Sequence, residues 1–477
     1  MRGVGAASAK PAGSNRHVRI VVVGGGIAGL AAALRLRERA GDAAEIVVVE
    51  QADRLGGKLR TAEIAGERVE TGAEMFLVRE QGADSAAQAL ANRVGLGAAL
   101  VHPAAVPADV LVGGSMRPIP PGTLLGVPSD PSTLDGLAAA ADLDQDGGGP
   151  LLEPGEDVAV GALVRARFGD EVVDRLVEPM LGGVYAGRAD SLSLAATMPG
   201  LHAAAQRHAT LTAAVRAALG ASPRPSGAPV FATVAGGMSR LTEAVAAASG
   251  ASVRLGAPVR ELARTADGWR LVLGSTRDPR RLDAAAVVLA LPATPAARLL
   301  SGVDTAAAAD IGALDYASVV LVTLALPPET VLPERSGFLV AGGQGYAVKA
   351  VTFFTVKWPH LRRDGAPVLI RASLGRYGEE QILQRSDEGL AALARADLEA
   401  MLGTTLAPVD VLVTRWGGAL PQYGVGHVER VARARGGLPA TLALAGAAVD
   451  GVGIAACVRS GEAAADWVWA ALTQSPA

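Results

Sequence analysis

The sequence predicts a mixed α/β and α+β fold, in which a parallel-sheet domain is joined to a second, mixed sheet and a helical lobe. Short apolar runs rich in β-branched residues, such as 18–23 and 46–50, alternate with segments of helical spacing, as in a parallel α/β sheet. Further apolar runs at 318–326, 346–354 and 368–374 indicate a second sheet. The chain of 477 residues is also longer than a single hydrophobic core usually supports.

The first apolar run ends in a glycine-rich turn that is typical of dinucleotide-binding domains. Gly24 would form the tight turn out of the strand, Gly26 would let backbone amides approach a pyrophosphate, and Gly29 would let the next helix pack on the sheet. The phosphates would then lie at a helix N-terminus, where unpaired amides and the helix dipole favour an anion. Glu50, after the second apolar run, would accept a hydrogen bond from a ribose hydroxyl. These residues predict a Rossmann-like domain.

The residues that follow Glu50 favour FAD over NAD. They read Gln51-Ala52-Asp53-Arg54-Leu55-Gly56-Gly57-Lys58-Leu59, so an Arg-x-Gly-Gly-Lys turn follows the acid. This arrangement resembles the flavoprotein amine oxidase superfamily, in which the second glycine pair runs alongside FAD and its basic residue faces the phosphates or the flavin edge. A solvated surface turn is the alternative interpretation, and the spacing from Gly24 to Glu50 does not by itself separate FAD from NAD.

The amino-acid composition limits the kinds of partner and the cellular location that we expect. The net charge of -3 gives no broad field that would attract nucleic acid, so no nucleic-acid partner is expected. Cys457 is the only cysteine, which excludes an internal disulfide and a cysteine-based zinc cluster and fits a cytoplasmic location. No metal site is predicted. The apolar segment 20–34 is shorter than the roughly 20 residues that span a bilayer, and its glycines fit the nucleotide-binding turn better than a signal peptide.

A second glycine-rich turn precedes the C-terminal helix. Residues 449–454 read Val-Asp-Gly-Val-Gly-Ile and lead into a helix that is predicted to end near Leu472. The N-terminus of this helix is suited to an electron-rich group such as the pyrimidine edge of a flavin, whose negative charge in the reduced state helix amides would stabilise. Ordinary packing of a C-terminal helix is the alternative interpretation.

Several motifs resemble those of bacterial FAD-dependent porphyrinogen oxidases, and specifically the coproporphyrinogen oxidases of the coproporphyrin route to haem in Gram-positive bacteria. The likeness extends from about Val18 to Trp469. Its more specific blocks are Glu178-Pro179-Met180-Leu181-Gly182-Gly183-Val184-Tyr185-Ala186-Gly187-Arg188-Ala189-Asp190, Ser193-Leu194 with Thr197-Met198-Pro199, Lys349-Ala350-Val351-Thr352-Phe353 with Lys357-Trp358-Pro359-His360, and Gly451-Val452-Gly453-Ile454 with Arg459-Ser460-Gly461-Glu462-Ala463. The Gly-Gly-Val-Tyr-Ala-Gly block is close to diagnostic, whereas many flavoproteins share the glycine fingerprint.

The resemblance implies a set of FAD contacts. These residues are Gly24, Gly25, Gly26, Ile27, Ala28, Gly29, Glu50, Gln51, Lys58, Gly72, Ala73, Glu74, Met75, Val259, Trp416, Val452, Gly453 and Ile454. Two residues of the C-terminal block depart from the family pattern, because Val449 and Ala455 stand where Tyr and Pro are expected.

The implied reaction is the oxidation of coproporphyrinogen III to coproporphyrin III, with oxygen as the electron acceptor and hydrogen peroxide as a product. In each of three two-electron steps a hydride leaves a meso carbon for the flavin, helped by a neighbouring pyrrole nitrogen, so no catalytic residue is assigned. Because this substrate carries four propionates, its pocket should combine apolar walls with peripheral cations. Arg79 is the first candidate for binding it, followed by Arg188 and Lys349; an exposed charge or a structural ion pair is the alternative for each.

The predicted domains follow from these assignments. They are a discontinuous FAD-binding domain of residues 18–80, 232–300 and 415–472, a mainly helical lobe of residues 81–231, a substrate-binding sheet domain of residues 301–414, and a flexible N-terminal extension of residues 1–17.

Three alternative functions stay open at this stage. A protoporphyrinogen IX oxidase and a flavin amine oxidase or carotenoid-type desaturase would share the cofactor motifs, and a non-catalytic nucleotide-binding scaffold would share the glycine turn. An amine oxidase usually needs an aromatic cage, for which Trp416 and Tyr423 could supply two walls. Membrane contact is not required and would be peripheral, and any contact with other haem-pathway enzymes would be transient.

Overall fold

The computed structural model describes residues 18–80, 82–134, 136–221 and 227–474, and the predicted N-terminal extension lies outside these residues. The strands are β1 Val18–Val23, β2 Ala44–Val49, β3 Thr61–Ile64, β4 Glu67–Glu70, β5 Phe76–Leu77, β6 Arg79–Glu80, β7 Ala83–Asp84, β8 Leu100–Val101, β9 Ala108–Val112, β10 Ser115–Pro118, β11 Thr123–Leu124, β12 Val127–Pro128, β13 Phe231–Val234, β14 Ser252–Arg254, β15 Val259–Thr265, β16 Gly268–Leu273, β17 Arg280–Ala284, β18 Ala286–Leu289, β19 Tyr316–Leu326, β20 Gly337–Val340, β21 Val348–Phe353, β22 Val368–Leu374, β23 Asp410–Pro421 and β24 Leu442–Leu444.

The α-helices are α1 Ile27–Ala40, α2 Ala86–Arg93, α3 Val160–Phe168, α4 Asp170–Val172, α5 Glu178–Tyr185, α6 Leu194–Thr197, α7 Pro199–Ala205, α8 Leu211–Gly220, α9 Ser239–Ser249, α10 Ala293–Leu300, α11 Thr305–Gly312, α12 Phe354–Lys357, α13 Asp387–Leu402, α14 His427–Gly437 and α15 Ile454–Gln474. A π-helical turn, Val173–Val177, connects α4 to α5. None of the helices within the described ranges is both long and apolar enough to cross a membrane.

A five-stranded parallel sheet carries the predicted dinucleotide-binding motif, in the strand order β14-β2-β1-β18-β24. Its two faces bury alternate residues of β1, because successive side chains of a strand point to opposite faces. Ile20 and Val22 pack against α1 and α15, while Val21 and Val23 belong to the cluster that contains Trp269 of β16. Both faces are therefore covered, which explains the continuous apolar run in the sequence.

Helices α1 and α15 lie side by side on one face of this sheet. A Cβ atom on Gly461 would lie 2.0 Å from the carbonyl oxygen of Ala28, so glycine is needed for the close approach of the two helices. Farther along, Asp466 forms ion pairs with Arg35 and Arg39. Residue numbers rise together along both helices, so α1 and α15 run in the same direction and both N-termini face the carboxyl edge of the sheet.

A mixed sheet of seven strands forms the second layer, in the order β10-β9-β20-β21-β22-β19-β23. Only β9 and β20 pair in parallel; the other neighbours are antiparallel. One face packs on α13 through Leu390, Ala394 and Leu398, in a cluster that includes Val348 of β21. The parallel sheet, the mixed sheet and the helices α3–α8 are the three parts that the predicted fold class requires.

Two details differ from the predicted domain composition. The range 81–231 contributes β9 and β10 to the seven-stranded sheet, where a mainly helical lobe was predicted. A tight turn at Gly113 and Gly114, both with positive φ, folds these residues into a hairpin. Strand β23 also continues across the predicted boundary between residues 414 and 415. The domain boundaries themselves stay a prediction.

Candidate active site

The turn after β1 has the geometry of a phosphate-binding loop. Gly24 has a φ of 110°, and a Cβ atom there would lie 2.3 Å from the carbonyl oxygen of Ala290. A Cβ atom on Gly29 would lie 1.9 Å from the Gly24 carbonyl oxygen, so only glycine lets α1 approach. Gly26 differs, because no atom lies within 4 Å of the position its Cβ would take. No side chain caps α1 at Gly26, so its first amides are available to an anion such as a pyrophosphate.

The carboxylate of Glu50 holds this loop in place. One of its oxygens accepts a hydrogen bond from the Gly25 amide at 2.7 Å, and the other accepts from the Ala52 amide at 2.8 Å. Each carboxylate oxygen can accept a further hydrogen bond, so both bonds are compatible with a ribose hydroxyl as an additional donor. Ile27 and Ala28, the first residues of α1, are buried beneath the loop.

The segment that leads to Val259 is bonded to Glu50 although the two are distant in sequence. The Glu50 amide donates to the carbonyl of Arg254, and the Glu50 carbonyl accepts from the amide of Ala257. These bonds hold the segment that leads into β15, which begins at Val259, against the Glu50 backbone. Gln51 is exposed next to the same bonds.

A second turn joins the glycine loop to the predicted flavin side. The Gly56 amide donates to the Gly25 carbonyl at 2.9 Å, so the Gly56-Gly57 turn lies against the first loop. Lys58 follows this turn and is half-buried. Burial lowers the pKa of the Lys58 amine, because protein replaces the water that would stabilise its charge.

Residues 71–73 and Trp416 meet at Lys58. A Cβ atom on Gly72 would lie 2.0 Å from the Lys58 carbonyl oxygen and 3.1 Å from the indole ring of Trp416. The Ala73 amide donates to the same Lys58 carbonyl at 3.0 Å, and the Trp416 indole N–H donates to the carbonyl of Thr71. Glycine is therefore required where the turn passes between the lysine backbone and the tryptophan.

The Glu74 side chain is buried and forms ion pairs with Lys357 and Arg371. Burial acts to raise the pKa of Glu74, but the two cations outweigh it and lower the pKa to about 2. Because the Glu74 carboxylate is buried as well as paired with these cations, any cofactor contact at this position would come from the backbone. Met75 packs against the cluster around Phe354.

The turn before α15 also contains open space. Gly451 has a φ of 121°, and no atom lies within 4 Å of the position that a Cβ atom on Gly453 would take. Val452 is half-buried and Ile454 is buried. The helix N-terminus that follows therefore borders a space in which a ligand edge would fit. Among the departures from the family pattern, Val449 and Ala455 are both buried apolar residues.

The three predicted substrate residues lie in different settings. Arg79 is exposed on β6, and its guanidinium donates to the carbonyl of Gly82 in the same hairpin. Arg188 is exposed just beyond α5 and lies 3.3 Å from a carboxylate oxygen of Glu379. Lys349 is buried in β21 and reaches α5 from the sheet. The structure thus brings Lys349 and Arg188 to opposite ends of the Gly-Gly-Val-Tyr-Ala-Gly block.

Tyr423 does not form a wall of an aromatic cage, contrary to the interpretation that the amine oxidase alternative needed. Its side chain is only 1% exposed and its hydroxyl donates to the carbonyl of Ala447. The ring stacks on His427 at a centroid distance of 4.4 Å and meets Tyr185 edge-on at 5.8 Å. Tyr423 is therefore part of the protein interior, and its hydroxyl holds the loop that leads to α15.

Sequence reasoning missed the cations that hold Glu74. The block Lys357-Trp358-Pro359-His360 was recognised only as part of a resemblance, and Arg371 was not singled out. A carboxylate in an apolar stretch must be paired or neutralised when buried, and that rule was the available signal for an ion-pair partner. The sequence does not show which residue, hundreds of positions away, supplies it.

Known proteins support the assignment of these motifs. Residues 27–468 match the family described as flavin containing amine oxidoreductase. The coproporphyrinogen III oxidase of Mycobacterium tuberculosis is 42% identical over 445 residues, which cover 92% of this chain and 94% of that protein. The Bacillus subtilis protein of the same name is 31% identical, covering 94% of this chain and 98% of its own length.

A solved structure agrees as well. A crystal structure of an Exiguobacterium protein, named provisionally as a protoporphyrinogen oxidase, has a TM-score of 0.81 and 32% identity, and covers 94% of this chain and 98% of that one. These comparisons confirm the predicted fold class and the resemblance seen in the motifs. The cofactor is FAD, because the family carries a flavin and the loop at Gly24 has the form that binds a dinucleotide. The chain belongs to the flavin-containing amine oxidoreductase family.

Proposed function

We propose that this protein oxidises coproporphyrinogen III to coproporphyrin III as a step of haem biosynthesis. The observation that carries the proposal is the 42% identity, over 92% of the chain, to a protein named coproporphyrinogen III oxidase. The cofactor is of the right kind, because a flavin accepts two electrons as a hydride, which is the chemistry that each step of porphyrinogen oxidation needs.

The predicted cofactor residues have distinct parts in holding FAD. The amides at the start of α1, above Gly26, bind the pyrophosphate, and Glu50 accepts from a ribose hydroxyl. Lys58, the Gly72 turn and Trp416 border the flavin, while the N-terminus of α15 faces its pyrimidine edge. The contacts among these groups and the open space at Gly26 support this arrangement.

The substrate needs an apolar surface for its macrocycle and cations for its propionates. Helix α5 offers such a surface, since Val184 is 41% exposed and Leu339 of β20 lies against Gly183. Lys349 and Arg188 flank this surface, and Arg79 on β6 is a third, exposed cation. We assign all three to propionate binding, because guanidinium and ammonium groups pair with carboxylates. The pyrrole nitrogens of the substrate supply the electronic push, so the residues of the chain bind and orient the substrate.

Oxygen takes the electrons in this proposal, and hydrogen peroxide is released. The protein works in the cytoplasm on a small-molecule substrate, with peripheral membrane contact at most and transient contact with other enzymes of the pathway. The resemblance in the motifs supports these points, and direct measurement of peroxide and of cell fractions tests them.

The test presents the FAD-loaded protein with coproporphyrinogen III, protoporphyrinogen IX and a primary amine in separate anaerobic mixtures. We expect the flavin absorbance to bleach fastest with coproporphyrinogen III, and porphyrin fluorescence and peroxide to appear when air is admitted. Faster bleaching with protoporphyrinogen IX would support the oxidase for that substrate instead. Bleaching only with the amine would support an amine oxidase, and a flavin that none of the three reduces would support a non-catalytic scaffold.

A further inference from the structure

Lys349 is a buried amine with few partners. Its side chain is 6% exposed, and its amine donates one hydrogen bond, to the Gly182 carbonyl of α5 at 3.3 Å. An ammonium group has three donors, so two of them have no acceptor among the residues the structure describes. Lys357 in contrast is paired with Glu74. A buried ammonium without a carboxylate partner is costly.

The backbone aims Lys349 away from the sheet's own core. The pairing of β21 with β22 shifts in register between Val348 and Ala350, so Lys349 is the extra residue of a β-bulge. Bulges redirect a side chain and often occur beside active sites. The carboxylate of Asp397 on α13 accepts from the amide of Val348 at 2.9 Å, which fixes the strand just before the bulge. Val348 faces the core at α13, and Lys349 crosses to Gly182 on the opposite side.

Charged groups act on this amine directly or lie on the elements that pack against β21. Arg376, beyond β22, opposes the charge on Lys349, and Glu379 favours it. Glu379 is itself shared by Arg376 at 3.7 Å and Arg188 at 3.3 Å. On α5, the half-buried Glu178 accepts a hydrogen bond from the Ala189 amide, and burial raises its pKa. On α13, Asp397 is bonded to backbone amides. Burial and Arg376 together lower the pKa of the Lys349 amine to about 7.

We infer that Lys349 binds a propionate carboxylate of the substrate and takes up a proton from solution as it does so. This inference rests on the proposed function and adds a mechanism of recognition to it. The ligand we infer combines an anionic group with an apolar body, because the amine bonds to Gly182, which directly precedes the apolar surface of Gly183, Val184 and Leu339. A carboxylate that joins the unpaired donors stabilises the ammonium form, so the proton enters together with the ligand. Arginines stay charged with or without ligand and would show no such uptake.

Isothermal titration of the FAD-loaded protein with coproporphyrin III tests the inference, because this oxidised product is stable in air. Titrations in buffers of different ionisation enthalpy give the number of protons taken up. For each porphyrin bound, we expect uptake of about half a proton at pH 7, close to one at pH 8 and almost none at pH 6. The reason is that the Lys349 amine titrates near neutrality in the free protein and stays protonated in the complex. The visible spectrum of the bound porphyrin checks that its ring nitrogens are not the acceptors.

Variants assign the proton to one residue. Lys349→Met should bind coproporphyrin III on the order of thirtyfold more weakly and lose the proton uptake, because it removes one partner of a buried charge pair. Lys349→Arg should recover most of the affinity without proton uptake. Arg207→Met, which removes an exposed charge in the helical region, is the matched control and should behave as the wild type. Flavin content and thermal unfolding confirm that each variant is folded.

Two results would overturn the inference. The first is a binding enthalpy of the wild-type protein that does not depend on the buffer between pH 7 and pH 8. This measurement needs no variant. The other is a Lys349→Met variant that keeps the wild-type proton uptake. Failure of the proposed function is a separate outcome, since it would show as wild-type protein that does not oxidise coproporphyrinogen III even though it binds the product.

Discussion

The carboxylate of Glu74, on the turn that approaches Lys58, forms an ion pair with Arg371 in the middle of the seven-stranded sheet. Lys357, at the end of α12, takes the other carboxylate oxygen. This buried cluster joins the turn of the predicted cofactor site to the sheet of the predicted substrate site. Separating the turn from the sheet would break these buried ion pairs, so the cluster ties the two together.

Glu74→Ala should destabilise the protein by about 3 kcal/mol, because it leaves two buried cations without their carboxylate. Thermal unfolding of the FAD-free protein measures this effect. The double variant Glu74→Ala with Arg371→Met should lose less than the sum of the single variants, since the second change removes one of the unpaired charges. Additive losses would show that the two side chains do not interact.

Glu70 should make the protein less stable as the pH rises through 7. Burial raises its pKa to about 7 although the Met238 amide and the Thr61 hydroxyl donate to one of its oxygens. The folded state therefore holds this proton more tightly than the unfolded chain does. Protonated Glu70 therefore contributes to the free energy of unfolding, on the order of 3 kcal/mol in total. This contribution is present in full below the ordinary carboxyl pKa, and it is lost as the pH rises through the pKa of Glu70 in the folded protein.

Unfolding temperatures of the wild type and of Glu70→Gln between pH 5 and pH 8 check this prediction for Glu70. The wild type should lose stability relative to the variant across this window. The lowered pKa of Glu74 has the opposite effect, because it makes the protein less stable as the pH falls. This loss occurs between the ordinary carboxyl pKa and about pH 2, outside the window of the experiment. Parallel curves for the two proteins would contradict a raised pKa at Glu70.

Gly26→Ala should fold normally and fail to retain FAD. The added methyl group meets no protein atom within 4 Å, so it enters only the space that we assign to the pyrophosphate. Gly200→Ala is the matched control, because Gly200 also has open space around it but lies on α7, away from the loop. Flavin absorbance after purification and the unfolding temperature of the FAD-free proteins separate cofactor loss from misfolding. A yellow Gly26→Ala protein would place the pyrophosphate elsewhere.

Tyr423→Phe should weaken FAD binding through the loop above it. The variant keeps the ring packing on His427 and removes only the hydrogen bond to the carbonyl of Ala447. A carbonyl in this partly buried position that loses its donor costs about 1 kcal/mol, which would appear partly as lower stability and partly as a higher dissociation constant for FAD. Fluorescence titration of the FAD-free protein measures the dissociation constant for FAD. If the variant bound FAD as tightly as the wild type, the loop would not need this hydrogen bond.

Local signals predicted the parallel sheet and its nucleotide-binding turn well. The β-branched runs at β1 and β2, and the glycines that each need a close approach, determine structure within a few residues of themselves. The predicted turn at residues 265–268 is found where β15 pairs with β16, between Thr265 and Gly268. In such segments the cause of the structure lies in the segment itself.

Features that depend on distant partners could not be predicted from the sequence. Strand β9 pairs with β20, which lies more than two hundred residues later in the sequence. Nothing in residues 108–112 indicates which strand they pair with. The same holds for Glu74 and its cations. The bulge at Lys349 depends on how β21 registers with β22, so the sequence presented this lysine as one candidate cation among several and did not show that it is buried.

The side-by-side packing of α1 and α15 has a consequence for how the protein is made. The ribosome makes the glycine loop after β1 and helix α1 more than four hundred residues before Gly461 of α15, which packs beside α1. A nascent chain therefore exposes the small apolar side chains of α1 until translation of α15 is nearly finished. Chains that stall before α15 would leave this face of α1 uncovered and would be open to proteolysis and aggregation.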